Sequence, residues 1–215
     1  MARVPVCGWR LENAARRLGA QRIAGIDEVG RGPMFGPVVA AAVILPAGWR
    51  PRGLTDSKKL KEEQRNRFAV AIRRKAAAWA VAVVDVETIE RINIRRASLL
   101  AMRIAVEQLA LAPDYLLIDG LDTIDWPGTQ QAVVAGDARS LSVAAASVLA
   151  KVHRDQLLVE LDAVYPGYGL ARHKGYCCPE HMKALERLGP TPLHRRNWGP
   201  VAQRMLEFRE MLEII

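Results

Sequence analysis

Three apolar runs in this chain end in acid. Asp27 and Glu28 close RIAGIDE, Asp119 closes YLLID, and Asp137 follows the short run QAVVA across a single glycine. In α/β proteins, sites gather at the ends of strands. Carboxylates brought there from separate strands repel one another unless a cation sits between them. Oxygen donors without Cys or His suit Mg²⁺ or Mn²⁺ better than zinc. Asp27 and Glu28 are neighbours, and successive strand side chains point to opposite faces. Both can serve one site only where the strand bends or ends; otherwise they are an exposed acidic pair in a turn.

Other chemistry-bearing residues fall in loops and at helix starts. Arg31 lies between Gly30 and Gly32. Such glycines let backbone amides approach a phosphate or sugar, or merely make a turn with a solvated arginine. Asp56-Ser57-Lys58-Lys59 reads as a cap beside two cations. Lys151, His153 and Arg154 read as the solvated face of a helix. His194-Arg195-Arg196 is a denser cluster that either contacts phosphate or is solvated. His173-Lys174-Gly175-Tyr176 puts a tyrosine in a loop, where it stacks on a sugar or base or packs on the domain.

The elements that must position these residues follow from pattern. Arg22–Glu28, Val38–Leu45, Trp79–Val86, Tyr115–Asp119 and Gln131–Ala135 read as strands. The first two are so close in sequence that they should pair antiparallel, and the unbroken apolar run at Val38 suits a strand covered on both faces. Helices are expected at Leu11–Leu18, at Lys61–Ala77 capped by Asp56 or Ser57, over Glu87–Leu111 in two pieces, over Ser140–Tyr165, and at Pro179–Leu188 and Trp198–Ile215. Pro166–Cys178 reads as a Gly-rich loop. Strands alternating with helices after an opening meander give an α/β class with a mixed sheet.

The chain has 215 residues, with 31 Lys plus Arg against 23 Asp plus Glu, a net charge of +8. A pI near 9.8 points to an anionic partner, nucleic acid first. Three cysteines, Cys7, Cys177 and Cys178, make no C-x-x-C pair. Free thiols in a reducing compartment are the simple reading. No membrane-length apolar run or secretory leader is evident, so a cytoplasmic location is expected.

Seven stretches together resemble the ribonuclease HII family: GIDEVGRGPMFGPVVAAAVIL (25–45), DSKKL (56–60), INIRRASLLAM (92–102), LLIDG (116–120), GDARSLSVAAASVLAKVHRD (136–155), YPGYGLARHKGY (165–176) and GPTPLHRR (189–196). They stand in the family's order. The resemblance implies an RNase H-like fold, with a mixed five-stranded sheet flanked by helices and a helical C-terminal part. It implies a helical extension over 1–20, a catalytic core over 21–165, and closing loop and helices over 166–215. It implies that Asp27, Glu28, Asp119 and Asp137 are catalytic, holding two Mg²⁺ or Mn²⁺ ions, with Asp137 a ligand or a proton shuttle. It implies that Gly30, Arg31, Gly32 and Tyr176 recognise a ribonucleotide's 2′-hydroxyl. Ser57, Lys58, Arg195 and Arg196 are expected to complete the substrate contacts. The implied partner is an RNA–DNA hybrid or a DNA duplex with embedded ribonucleotides, cut on the 5′ side by a monomer. Cys177-Cys178 departs from the family's usual Gly-Thr, and Met34-Phe35 from its usual Leu-Ala; the second should be packing only. A nuclease of DNA junctions, a non-catalytic binding module and a small-molecule phosphatase are the rivals. The acids argue against the module, and the basic surface against the phosphatase.

Overall fold

A computed structural model describes residues 7–213, with side chains to 206. Residues 1–6 of the N-terminal extension and residues 214–215 of the expected last helix lie outside the described residues, as do the side chains from 207 onward. In chain order the elements are α1 (Arg10–Arg17), β1 (Ile23–Val29), β2 (Val38–Ile44), α2 (Glu62–Lys75), β3 (Ala78–Val84), α3 (Val86–Ile92) and α4 (Ile94–Glu107). They continue with β4 (Tyr115–Asp119), β5 (Thr129–Val133), α5 (Leu141–Val164), α6 (Leu170–His173), α7 (Pro179–Leu188) and α8 (Gly199–Glu213).

The five strands form one mixed sheet in the order β3-β2-β1-β4-β5. β1 and β2 pair antiparallel, while β1–β4 and β4–β5 are parallel. Every residue of β2 is buried, as its unbroken apolar run requires. β3 instead alternates, exposing Trp79 and Val83. Val39, Ala41 and Val43 of β2 pack with Leu141, Ala144, Ala145 and Val148 of α5 and Ile72 of α2. Tyr115, Leu117 and Ile23 pack with Val143 and with Ala15 of α1.

One glycine lets helix and sheet approach this closely. A Cβ on Gly25 would stand 2.1 Å from the backbone carbon of Ser142 and 2.2 Å from the amide of Val143. Only a residue without a side chain fits under the start of α5. Two residues along the same strand face, Asp27 falls under α5 about a turn and a half further on, where Ser147 stands.

The contacts divide the chain into two compact units. One takes the chain up to Val29, Val39–Val83 and Ser98–His153; the other takes Gly30–Val38, Val84–Ala97 and the chain from Arg154 onward. Met34 and Phe35, both fully buried, pack with Leu158, Tyr168, Leu170, Leu185 and Val201 of the second unit.

Some boundaries differ from the sequence reading. β5 starts and ends two residues early. The stretch expected as one loop after Pro166 contains α6. Asp56 does not cap α2. Its carboxylate accepts from the amide of Lys58 (2.9 Å) and caps a separate 3₁₀ turn, Ser57–Lys59. α2 begins at Glu62, with the Gln64 side chain accepting from the Lys61 amide. The break between α3 and α4 is Asn93, at φ 68° and ψ 162°, a positive-φ conformation that residues with a side chain rarely adopt.

Candidate active site

β1 and β4 run parallel with Ile26 opposite Ile118. The next residues, Asp27 and Asp119, therefore stand at the same level at the C-terminal end of adjacent strands. β5 lies on the far side of β4, with Val133 opposite Asp119. Beyond it, Ala135 turns through a left-handed conformation into the 3₁₀ turn Gly136–Ala138. The amide of Gly136 donates to the Asp119 carboxylate at 2.7 Å, which pins the turn carrying Asp137 beside Asp119.

Asp27 is 5% exposed. Its carboxylate accepts from the Glu28 amide at 2.7 Å and from the hydroxyl of Ser147 on α5. The Ser147 hydroxyl is 2.9 Å from that of Ser57. A serine relay thus runs from the 3₁₀ turn through α5 to Asp27. Burial pushes the Asp27 pKa well above its ordinary value, and Glu28, Asp119 and Asp137 push it further. The strand pairing runs on through Glu28 to Val29. The bend that the sequence reading required is not found within β1, and Glu28 acts on Asp27 as a neighbouring charge.

Asp137 is raised to about 6, by burial first, then by Asp119, then by Asp56, whose carboxyl also hydrogen-bonds to it; Lys58 opposes the shift. Asp56 is thus a further acid of the site, and Ser147 a positioning residue. Neither was singled out from sequence for this role. The DSK turn reads locally as a cap, and its proximity to Asp137 is a tertiary fact. Lys58 is exposed, and its charge acts on Asp137. Ser57 is corrected: it is 3% exposed, so its hydroxyl supports Ser147 and does not face a substrate.

The donor set fits a hard divalent cation, since it is all carboxylate oxygen and concentrates negative charge that a cation would neutralise. Among the described residues, no three acidic, His or Cys side chains form a ready-made metal cage. Like charges gathered there repel one another and raise the pKa values of Asp27 and Asp137. This has a measurable consequence. With its folded pKa raised to about 6 against an ordinary carboxylate near 4, Asp137 favours folding at low pH. That contribution is lost as pH rises through about 6. In chelator at pH 8, Asp137→Asn is expected to melt higher than the parent, and at pH 4 the gain should vanish. Equal melting temperatures at both pH values would refute the crowding.

The second unit holds the Gly30–Gly32 loop and Tyr176. Gly30 has φ 98°, and a Cβ there would lie 2.4 Å from Nε of Arg154. The Arg154 guanidinium donates to the carbonyls of Pro37, Lys174 and Phe35 at 3.0–3.1 Å. The Arg195 guanidinium donates to those of Gly30, Arg31 and Gly36. Two expectations are corrected. Arg154 is 0% exposed, not part of a solvated face, and Arg195, at 2% exposed, makes four N–H bonds to the loop's carbonyls and is buried there instead of standing at the surface for phosphate. Burial drives Arg195 down to about 9, with Arg154 adding repulsion. Five N–H donors in a rigid fork suit arginine to holding several carbonyls together.

Arg31, Gly32 and Tyr176 are exposed, and a Cβ on Gly32 would stand 3.5 Å from the Tyr176 ring. Arg196 is exposed; its amide donates to Glu90, and its guanidinium lies 3.9 Å from the same carboxylate. Cys7, Cys177 and Cys178 are free. No described helix is long and apolar enough to cross a membrane.

This geometry matches solved proteins. The chain superposes on ribonuclease H2 from Pyrococcus horikoshii OT3 with a TM-score of 0.76 at 25% identity, covering 88% of this chain and 100% of that one. It superposes on Bst-RNase HIII in complex with Mn²⁺ at 0.67 and 22% identity, covering 92% and 73%, a likeness of fold. The mixed sheet with acids at adjoining strand ends thus defines a nuclease of the RNase H-like class. Residues 24–201 match the family described as Ribonuclease HII, and the chain belongs to that family. Ribonuclease HII of Geobacter sulfurreducens is 51% identical over 94% of this chain and 93% of its own length. That of Enterococcus faecalis is 48% identical over 89% and 75%.

Proposed function

We propose that this nuclease hydrolyses the RNA strand of RNA–DNA hybrids and cuts 5′ of single ribonucleotides embedded in duplex DNA, leaving 3′-hydroxyl and 5′-phosphate ends. The observation that carries the reading is the convergence of Asp27, Glu28, Asp119 and Asp137 on one electrostatic site in a basic protein. These four acids are the proposed holders of two Mg²⁺ or Mn²⁺ ions. When bound, such ions lower the pKa of attacking water and offset charge on the leaving 3′-oxygen. The chain's own part is positional and protonic. Ser147 and the Glu28 amide orient Asp27, and the Gly136 amide orients Asp119. Asp137, with a pKa near 6 and Asp56 beside it, can hold a proton near neutral pH and release it to a leaving oxygen.

Arg31, the Gly30–Gly32 backbone and Tyr176 are the proposed readers of the 2′-hydroxyl, which is donor and acceptor together. Lys58 and Arg196 are proposed phosphate contacts, which bind without reading sequence. The test is a DNA duplex carrying one ribonucleotide, with Mg²⁺, with Mn²⁺ and with chelator. A metal-dependent cut 5′ of the ribonucleotide is expected. Tyr176→Ala should lower that cut by roughly tenfold or more, the scale of one stacked base, while leaving the melting temperature nearly unchanged because the ring is 42% exposed. Unchanged kinetics would remove Tyr176 from the site.

A further inference from the structure

A second charged surface lies in the first unit beside the acids, with Lys59 of its wall 4.0 Å from the Asp56 carboxylate. A groove of about 740 Å³ runs between α1, the loop before the 3₁₀ turn and the start of α5. Its walls carry Arg10, Arg16, Arg50, Arg52 and Lys59 and no carboxylate. Arg10, Arg50, Arg52 and Lys59 are exposed. Trp9 forms part of the wall; its indole N–H donates to the Trp49 carbonyl at 3.0 Å, and the Arg16 guanidinium sits 5.0 Å over its ring.

The groove is built, not a chance gathering of surface cations. Glu12 of α1 is fully buried, and its carboxylate accepts from the Ser140 hydroxyl (2.7 Å) and the Ser142 amide (2.9 Å). Gly8 exchanges backbone bonds with Arg139 and Leu141. These ties fix the basic wall of α1 against the segment that carries Asp137. Ala138, the residue after Asp137, lines the groove, as does Lys59, the residue after Lys58. A strand held by Lys58 beside Asp137 therefore has this groove as the next surface on that side.

We infer that the groove is a second phosphate-binding surface, taking the sugar–phosphate backbone of the duplex flanking the cleavage position. Guanidinium forks match phosphate oxygens, and the absence of acid in the walls favours a polyanion over a peptide or an apolar ligand. This inference rests on the proposed function for the identity of the polyanion.

The test uses the full chain carrying Asp27→Asn, so that binding is read without cleavage. Arg50→Ala and Arg52→Ala are combined on that background. Affinity is measured by fluorescence anisotropy against ribonucleotide-containing duplexes shortened stepwise from either end, over a range of salt. Losing two phosphate contacts should weaken binding by about tenfold on long duplexes and lower the salt slope by about 2. The difference should disappear once one particular flank is shortened past a defined length. An unchanged affinity and slope would overturn the inference. So would a loss that persists on every shortened duplex, because that marks a general field instead of a local contact. Tight binding of a free nucleotide monophosphate, lost in the double variant while duplex affinity is kept, would also overturn it. Cleavage by the parent protein is scored separately. If the parent cuts no ribonucleotide substrate yet the flank dependence holds on plain duplex, the proposed function fails and the groove stands.

Discussion

Asp27→Asn is expected to lower cleavage of a hybrid by at least about 10³-fold, roughly 4 kcal/mol of barrier, and to leave hybrid affinity within a few-fold of the parent. The side chain is isosteric, so the serine relay from Ser57 and Ser147 keeps its partner. What disappears is the negative charge at the most buried acid of the cluster, 5% exposed and crowded by Glu28, Asp119 and Asp137. Removing a carboxylate that opposes a phosphate backbone does not weaken binding to that backbone. It removes a proposed ligand to the ions on which hydrolysis depends. A single-turnover assay beside an anisotropy titration reads the two effects separately. Near-normal cleavage would remove Asp27 from the chemistry; loss of affinity equal to the loss of rate would mean that Asp27 organises the binding surface instead.

The contrast between Asp27 and Arg195 shows what local sequence can convey. Asp27 and Asp119 end apolar runs, and strand runs are legible because burial on both faces demands unbroken Val, Ile, Leu and Ala. Parallel pairing then puts two strand ends at one level. Arg195 lies among Pro, His, Arg and Asn in a stretch with no period, and nothing local distinguishes a solvated arginine from one whose fork gathers the carbonyls of Gly30, Arg31 and Gly36. The same holds for Ser147, one small residue among alanines on α5, and for Asp56, whose cap signal concealed its approach to Asp137. Partners 90 residues apart, such as Ser57 and Ser147, leave no trace in spacing. Gly25 was visible only as a letter in a motif; its reason is the backbone of α5 lying where a Cβ would be.

Acid is expected to destabilise the second unit through two buried histidines: His181, which the sequence reading left unassigned, and His194, which it read as contacting phosphate or solvated. His181 and His194 are both 0% exposed, with their Nε2 atoms 3.2 Å apart. Nδ1 of His194 accepts from the Thr191 amide at 3.0 Å, so its proton sits on Nε2 and points at His181. Nδ1 of His181 lies 3.0 Å from the Tyr176 carbonyl and must donate there, leaving its Nε2 to accept. The chain Thr191–His194–His181–Tyr176 is satisfied only with both rings neutral. Protonating His181 sets two N–H groups against each other and loosens the support under Tyr176. Burial depresses His181 to about 4 and His194 to about 3. Folded values below the ordinary 6.5 mean that their contribution to stability is whole above pH 6.5 and is lost as pH falls toward 4. At pH 5, about 1.5 units below the free value, each costs about 2 kcal/mol, together about 4. Asp27 and Asp137 shift in the opposite sense, so the histidine effect is read by difference. The parent and His181→Gln/His194→Asn are compared by denaturant unfolding between pH 7 and 5, scoring the slope of stability against pH instead of its absolute value. The parent should take up about two more protons on unfolding than the variant does. Equal slopes would mean that the pair is already charged or exposed, and the tautomer chain beneath Tyr176 would fall with it.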